Sequence, residues 1–347
     1  MSNETIGNDS NLRFGLEHFP WLDPFVPHRW WRGGWLQTLS IKAVRTDLDT
    51  NQWPGTVQFD IVGDQTPPDV LSGYYLPPKV SGPDRPLVVI IHGMGGHARS
   101  GYMLSMAERL LEAGFPVVLW NNRGAGDSAQ SCRRFHHPGF TDDLSDLCEY
   151  LRTDRASWCE HGLAAVAFSL GGNVLLRYLA ETGGESDLSI AASISTPLDM
   201  HTTSQNLRRG ANRLFDRYLL HRQQKELLRD GSDLSDEERQ VIQSARSVWD
   251  LDDRFTAPRF DYENAEEFYR ENSAIYVLDE ISIPTLLFHA MDDPVVDDDV
   301  FRDRDWSAEG PLYPALAESG GHTGFLDRDG QRWHERAIVN FFTQVDH

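Results

Sequence analysis

Short apolar runs alternate along the chain with longer segments in which apolar residues recur every three or four positions. Residues 87–91 (LVVII) are all apolar and end at His92-Gly93, which is typical of a strand buried on both faces of a parallel sheet. Residues 101–113 follow with helical spacing. The same unit recurs, with predicted strands at 116–122, 163–168, 189–195 and 284–290 and predicted helices at 141–153, 170–181 and 332–343. This alternation predicts a doubly wound, mostly parallel sheet with right-handed crossovers.

The segment before this core has a different pattern. Residues 1–40 are polar at first and then rich in tryptophan and proline, which predicts an irregular N-terminal arm. Two interpretations of its tryptophans stay open: packing against the body, which we favour because burial offsets the cost of ordering, and contact with a lipid. Period-two stretches at 41–47, 56–62 and 70–76 then predict antiparallel strands.

About 90 residues separate the predicted strands at 189–195 and 284–290. This segment is rich in Arg, Asp, Glu and Leu, has helical patterning and is too long for a bare loop. We interpret residues 198–275 as a helical cap over the carboxyl ends of the strands, where ligands bind in such sheets. The predicted organisation is an arm at 1–40, a core made of 41–197 and 276–347, and the cap at 198–275.

The composition is that of a globular protein. Hydrophobic residues make up 40% of the 347 positions, and the 28 Gly and 18 Pro are ordinary usage, which excludes collagen-like, low-complexity and largely disordered classes. The 32 Lys and Arg against 53 Asp and Glu give a formal net charge of −21. Such a field repels phosphate groups, so it argues against nucleic acid and against anionic membrane surfaces as partners.

Cysteine usage and the absence of long apolar runs bear on location. Cys132, Cys148 and Cys159 form an odd set without CxxC spacing, so neither a disulfide framework nor a zinc site is predicted, and a reducing compartment is favoured. Residues 1–30 lack a basic region followed by an apolar one, so no secretory signal is predicted. No run of 18 apolar residues occurs, so we expect no transmembrane anchor and a cytoplasmic location.

The sharpest chemical signal is the run AFSLGG at 167–172, between a predicted strand and a predicted helix. A sharp strand-to-helix turn needs small residues two positions before and after its apex, and it exposes the apex side chain at the helix N-terminus. Ser169 is that apex, with Ala167 and Gly171 as the small residues. An incidental turn of small residues is the alternative, but the strand, the helix and two downstream partners favour a nucleophilic serine.

A serine hydroxyl needs an adjacent base that is itself oriented by an acid. His322 lies in a glycine-rich loop before the terminal predicted helix, where it can reach over the sheet edge. Asp293 lies just past the predicted strand at 284–290, and we choose it over the adjacent Asp292 because it directly precedes Pro294. The order Ser169, Asp293, His322 is that of α/β-hydrolases.

Two backbone N–H groups are expected to stabilise a tetrahedral oxyanion. The N–H of Leu170 follows the serine, and that of Met94 lies in the glycine-rich loop 92–96. This loop lacks the Lys-Ser/Thr of a P-loop and the spacing of a dinucleotide fingerprint, so no cofactor is indicated. The adjacent His136 and His137 point apart and have no further ligand at metal spacing, so a hydrogen-bonding role is favoured over a metal site.

Several longer motifs carry a family resemblance: PHRWWRGGWLQTL, HGMGG, NNRGAGDS with RRFHHPGFTDDL, FSLGGNVLLRYL, VWDLDDRFTAPRFDYENAEEFYRENSA, DDP and GGHTGF. Together they resemble the α/β-hydrolases of the YheT-like group, which is related to the eukaryotic ABHD1/2/3 and EMB8 proteins. The resemblance implies an α/β-hydrolase fold with esterase or lipase-like activity on acyl esters, carried by Ser169, Asp293 and His322. Two positions depart from it: Ala167 replaces the usual Gly, and Trp35 stands where members often have His before Leu-Gln-Thr.

One residue of these motifs has no obvious part in a triad mechanism. Arg123 is expected to pair with Asp142 or Asp143 and to hold its loop beside the helix that follows Ser169.

We therefore predict an α/β-hydrolase fold, with a mostly parallel sheet flanked by helices and a helical cap insertion. The predicted function is serine-dependent hydrolysis of small acyl esters of short to medium chain through an acyl-enzyme. An acyltransferase or ester synthase uses the same groups and differs in shielding the acyl-enzyme from water, and a non-catalytic binding protein on this scaffold is the third alternative. Dehalogenase and epoxide hydrolase chemistry are disfavoured because both place a carboxylate where Ser169 stands.

Overall fold

An eight-stranded sheet runs through the centre of the protein. The computed structural model describes residues 23–42, 46–63, 66–79, 84–306 and 310–344. The strands are β1 Val57–Val62, β2 Val70–Leu76, β3 Leu87–Ile91, β4 Val117–Trp120, β5 Leu163–Phe168, β6 Leu188–Ile194, β7 Thr285–Ala290 and β8 Leu312–Ala317. They lie in the order β1-β2-β4-β3-β5-β6-β7-β8. The pairs β1–β2 and β2–β4 are antiparallel and the remaining pairs are parallel, which confirms the mostly parallel sheet.

Helices cover both faces of the sheet. The helices are α1 Gly34–Ser40, α2 Gly101–Glu112, α3 Asp142–Thr153, α4 Leu170–Thr182, α5 Met200–Leu207, α6 Arg213–Leu227, α7 Asp236–Ser244, α8 Val248–Leu251, α9 Ala257–Arg259, α10 Ala265–Asn272, α11 Asp299–Arg302 and α12 Trp333–Gln344. A π-helical turn, Asp252–Thr256, joins α8 to α9. None of the helices within the described ranges has both the length and the apolar character that a membrane span requires.

The alternating side chains of β3 show how two cores form. Val88 and Ile90 face one core, which α2 and α12 complete. Leu87, Val89 and Ile91 face the other, which α3 and α4 complete. Because successive residues of a strand point to opposite faces, a strand between two helical layers must be apolar throughout.

The predicted start of the fold differs from the observed one. The arm contains the helix α1, and the described residues of the predicted strand at 41–47 form no strand. The buried positions of α1 include Gln37 and Thr38, whereas Leu36 and Leu39 are exposed. Apolar periodicity therefore does not reveal this helix, because its buried face is polar.

The segment between β6 and β7 is helical and contains α5 to α10. Several of its apolar side chains form a small cluster of their own with Phe135 of the core, including Leu220, Ile242, Leu251 and Phe255. We refer to residues 198–275 as the insertion.

Candidate active site

Ser169 occupies the sharp turn between β5 and α4. Its φ of 50° and ψ of −124° are strained for a residue with a side chain, and its N–H donates to the Ile194 carbonyl at 2.8 Å. A Cβ on Gly171 would lie 2.4 Å from the His92 carbonyl oxygen, so only glycine fits there. Ala167 is fully buried in β5, so the turn accommodates the methyl group that replaces the more usual glycine.

The three side chains singled out in the sequence lie in a hydrogen-bonded row. His322 Nε2 is 2.9 Å from Ser169 Oγ, and His322 Nδ1 is 2.8 Å from Asp293 Oδ2. An Nδ1–H that donates to the carboxylate leaves Nε2 with a lone pair towards the serine hydroxyl. This arrangement can take a proton from Ser169 and stabilise the resulting imidazolium.

The carboxyl group of Asp293 is fully buried but accepts several hydrogen bonds. Its Oδ1 accepts the N–H groups of Val295 and Val296 at 2.8 and 3.0 Å. Burial alone would raise the pKa of Asp293, but the His322 ring and these hydrogen bonds hold that pKa below its ordinary value. The carboxylate is therefore charged at neutral pH.

The adjacent Asp292 has a different task. Its Oδ1 accepts the N–H groups of Gly320 and Gly321, both at 2.8 Å. These are the two residues directly before His322. Of the two neighbouring carboxylates, Asp293 thus meets the imidazole and Asp292 holds the backbone of its loop.

Helix α1 supports the same loop from the other side. The His322 N–H donates to Thr38 Oγ at 2.8 Å, and that hydroxyl donates to the Gly34 carbonyl at 2.7 Å. The fully buried Gln37 amide donates to the Leu326 carbonyl at 3.0 Å and accepts the Leu326 N–H at 2.8 Å. Gln37 and Thr38 were not among the predicted site residues; the signal that could have found them is the Leu-Gln-Thr of the family motif.

The two residues expected to form an oxyanion hole, Met94 and Leu170, line the same cavity as Ser169. The loop that carries Met94 is fixed by His92, whose Nδ1 lies 2.8 Å from the Gly93 carbonyl and whose Nε2 accepts the Asn122 N–H at 3.1 Å. Burial lowers the pKa of His92 to about 4, so the ring is neutral. Its two nitrogens hold the loop in place through hydrogen bonds.

The cavity at Ser169 has a volume of about 130 Å³ and is walled by the core and the insertion. Its walls are mainly apolar and include Phe135, Leu207, Leu219, Val248, Phe255 and Val296. Polar groups are set among them: burial raises the pKa of Glu226 to about 7 and that of Asp252 to about 6. Both carboxyl groups are therefore protonated more readily than ordinary ones, and the mainly apolar walls around them suit an apolar ligand.

His136 and His137 also line this cavity. Burial lowers the pKa of His136 to about 3 and that of His137 to about 4, so both rings are neutral. His137 Nδ1 accepts the Gly139 N–H at 3.2 Å, whereas His136 Nδ1 has no partner among the described residues.

Arg123 makes buried ion pairs beside the site. Its guanidinium pairs with Asp143, the second of the two carboxylates considered for it, and also with Asp69, directly before β2. Asp69 in turn accepts the Arg133 N–H at 2.7 Å. The motif that contains Arg123 therefore connects the loop after β4 to β2 and α3.

Comparison with known proteins agrees with this architecture. The family model described as "Serine aminopeptidase, S33" matches residues 82–304. YheT of Escherichia coli (strain K12) is 30% identical over 266 residues, which cover 75% of this chain and 77% of YheT. "Medium-chain fatty acid ethyl ester synthase/esterase 2" of Saccharomyces cerevisiae is 31% identical over 288 residues, which cover 76% of this chain and 63% of that protein.

A solved structure confirms the fold. The Pyrococcus furiosus esterase Pf2001 superposes with a TM-score of 0.55 at 15% identity, covering 87% of this chain and 97% of that one. The chain therefore belongs to the esterase- and lipase-type α/β-hydrolase family, in the group that contains YheT and the ABHD proteins.

Proposed function

We propose that the protein is a serine carboxylesterase that cleaves small acyl esters of short to medium chain. The observation that carries this proposal is the row of hydrogen bonds from Ser169 through His322 to Asp293, at 2.9 and 2.8 Å. The row lies at the wall of an apolar cavity, where the acyl chain of a substrate can be buried.

The positions of these atoms support the following proposed reaction. Ser169 Oγ attacks the acyl carbonyl carbon while its proton passes to His322 Nε2, and Asp293 stabilises the imidazolium. The N–H groups of Met94 and Leu170 donate to the oxyanion. The imidazolium then gives its proton to the leaving alcohol, and an acyl-enzyme remains. Water, deprotonated by the same imidazole, attacks the acyl carbon and releases the carboxylic acid and free Ser169.

The insertion acts as a lid in this proposal. It contributes Leu207, Leu219, Val248 and Phe255 to the cavity that Ser169 also lines. The acyl chain therefore meets side chains of the insertion as well as of the core, whereas the reacting groups all come from the core. Acyl selectivity then depends on the insertion and the chemical step depends on the core.

The test is a comparison of the wild type with Ser169→Ala. We expect the wild type to hydrolyse p-nitrophenyl butyrate and to be labelled by a fluorophosphonate, and the variant to be unlabelled and slower by several powers of ten. Comparable turnover by the two proteins would contradict the proposal. A folded wild type that neither reacts nor is labelled would favour the non-catalytic alternative. An amino-acid p-nitroanilide tests the peptidase activity named in the family description.

Ester synthesis is the second candidate, and the printed name of the yeast relative favours it. In that reaction an alcohol, rather than water, takes the acyl group from Ser169. Adding ethanol to the p-nitrophenyl butyrate assay distinguishes the two, because a synthase forms ethyl butyrate in place of butyrate. Formation of butyrate alone at all ethanol concentrations would leave hydrolysis as the function.

A further inference from the structure

Exposed apolar side chains concentrate on two neighbouring segments. Large apolar side chains are exposed at nine of the described positions. Six of the nine lie on the arm or on α6: Val26, Trp30, Leu36, Leu39, Leu214 and Tyr218. Trp30 is 69% exposed and Leu214 is 62% exposed, so neither contributes to a core. Such a concentration marks an interaction surface rather than scattered surface residues.

The two segments are in contact. The Trp35 ring of α1 packs against the Phe215 ring of α6 with a centroid distance of 4.5 Å. Lys42 Nζ, just past α1, lies 4.9 Å from the centre of the Tyr218 ring. Leu214 and Tyr218 are four residues apart and share one face of α6. We name this area the α1–α6 surface and define it by Trp30, Leu36, Leu39, Leu214 and Tyr218.

Two stretches around these contacts, residues 24–42 and 200–225, carry a charge opposite to that of the whole protein. Residues 24–42 contain no Asp or Glu, and they carry Arg29, Arg32 and Lys42. Residues 200–225 contain one acid, Asp216, which is buried and accepts the Val248 N–H. The same range carries six basic residues: Arg208, Arg209, Arg213, Arg217, Arg222 and Lys225. In a chain of net charge −21, these two stretches of sequence together carry nine basic residues and one acid.

We propose that the α1–α6 surface docks the protein onto an anionic phospholipid surface. Leucine, tryptophan and tyrosine side chains enter the boundary between head groups and acyl chains, and the flanking arginines and Lys42 bind the lipid phosphates. Arg29 lies 4.4 Å from the centre of the Trp30 ring, which places a cation beside an amphipathic ring suited to that boundary. The net charge had argued against anionic membranes, but attraction within a Debye length depends on the local cations.

A second copy of the chain fits this surface less well. In a symmetric dimer the same patch faces itself, so the cations flanking Leu214 would be brought against their own copies. An anionic lipid surface buries the same apolar side chains and neutralises these charges.

The α1–α6 surface lies close to the cavity at Ser169, which gives lipid binding a function. Helix α6 turns Leu214 and Tyr218 outward and contributes Leu219 and Gln223 to the cavity at Ser169. Docking would therefore place the cavity one helix away from the lipid. The binding itself does not depend on the proposed function and can be measured without it.

The test is vesicle flotation of the full chain carrying Ser169→Ala, so that no lipid ester is consumed. Vesicles of phosphatidylcholine alone are compared with vesicles in which one-third of the lipid is phosphatidylserine. We expect binding at least about tenfold tighter to the anionic vesicles, and weaker binding as salt is raised. Equal binding to both, or none to either, would overturn the proposal.

Two double variants locate the contact, each with a matched control. Arg213→Glu with Arg217→Glu should weaken binding to the anionic vesicles by about twentyfold or more, whereas Arg152→Glu with Arg155→Glu at the end of α3, which changes the net charge equally, should change binding less than twofold. Trp30→Ser with Leu214→Ser should also weaken it by about tenfold or more.

The apolar control removes side chains of similar exposure elsewhere: Val62→Ser with Tyr276→Ser, at 64% and 62% exposed. Circular dichroism confirms that each variant is folded. Equal losses in variant and control would overturn the proposal. So would a dimer, seen by light scattering, that the same two double variants abolish, because that result identifies a second copy as the occupant.

Discussion

Two neighbouring carboxylates carry separate tasks, so their substitution should give separate results. Asp293 meets the imidazole of His322, and Asp292 accepts two backbone N–H groups of its loop. We expect Asp293→Asn to lower kcat for p-nitrophenyl butyrate by roughly 10⁴-fold, because an amide neither fixes the tautomer nor stabilises the imidazolium. Asp292→Asn is the matched control and should lose less than about tenfold, since an amide oxygen still accepts both bonds. Equal losses would refute this division of tasks.

His334 gives a pH dependence with a defined sign. The ring is fully buried against aromatic side chains such as Phe168 and Phe325, and neither nitrogen has a partner among the described residues. Burial holds its pKa well below the ordinary value, so the folded protein keeps the ring neutral while the unfolded chain protonates it below about pH 6.5. The stability that this residue contributes is therefore lost as pH falls through that range.

Substitution of His334 by phenylalanine removes this dependence. The free energy of unfolding of His334→Phe, relative to the wild type, should rise as pH falls from 7 towards 5, by up to about 1.4 kcal/mol per pH unit. Urea unfolding at several pH values measures the difference. A difference that is constant with pH would mean that the buried ring does not stay neutral.

At the scale of elements, α1 supports the loop that carries His322. Thr38→Val keeps the shape of the side chain but removes the oxygen that accepts the His322 N–H. An unpaired buried N–H costs about 1–3 kcal/mol, so the loop should shift and kcat should fall by roughly tenfold or more, with little change in KM. Thr38→Ser retains the hydroxyl and should keep most of the activity. A Thr38→Val enzyme with wild-type kcat would show that the loop keeps its conformation without this hydrogen bond to α1.

Helix α6 offers a matched pair for testing the insertion as a lid. Leu219 lines the cavity, whereas Leu214 lies on the same helix and is exposed. Leu219→Trp should fill part of the cavity and lower kcat/KM for a p-nitrophenyl octanoate far more than for the acetate. Leu214→Trp should leave that ratio unchanged. An unchanged ratio in Leu219→Trp as well would mean that the acyl chain binds elsewhere.

The elements also show what a sequence can and cannot reveal. Strands such as β3 and β5 are predictable because burial on both faces requires continuous apolar runs, and the turn at Ser169 is predictable because close approach requires small residues on either side. Helix α1 was not predicted because it buries Gln37 and Thr38 and exposes its leucines, so its apolar residues do not mark the buried face. A hydrogen bond that Thr38 accepts from a residue 284 positions away produces no periodic pattern in the sequence.

At the scale of the whole molecule, charge is distributed unevenly along the chain. The net charge of −21 therefore does not predict the local charge of any one part of the surface. Positive charge gathers in residues 24–42 and 200–225, and the acids lie mostly elsewhere in the chain. Net charge thus governs solubility and long-range repulsion, whereas a partner at contact distance meets only the local charges.

The hydrogen bond between Thr38 and His322 has a further consequence for folding. It joins positions 284 residues apart, and the bonds of Gln37 with Leu326 span 289. Contacts of such span close the longest loops, so they demand that nearly all of the intervening chain be in place. A molecule in which they are open carries Ser169 without a positioned base. In the proposed mechanism, nascent and partly opened molecules therefore do not hydrolyse esters, and ester turnover reports that the fold is complete.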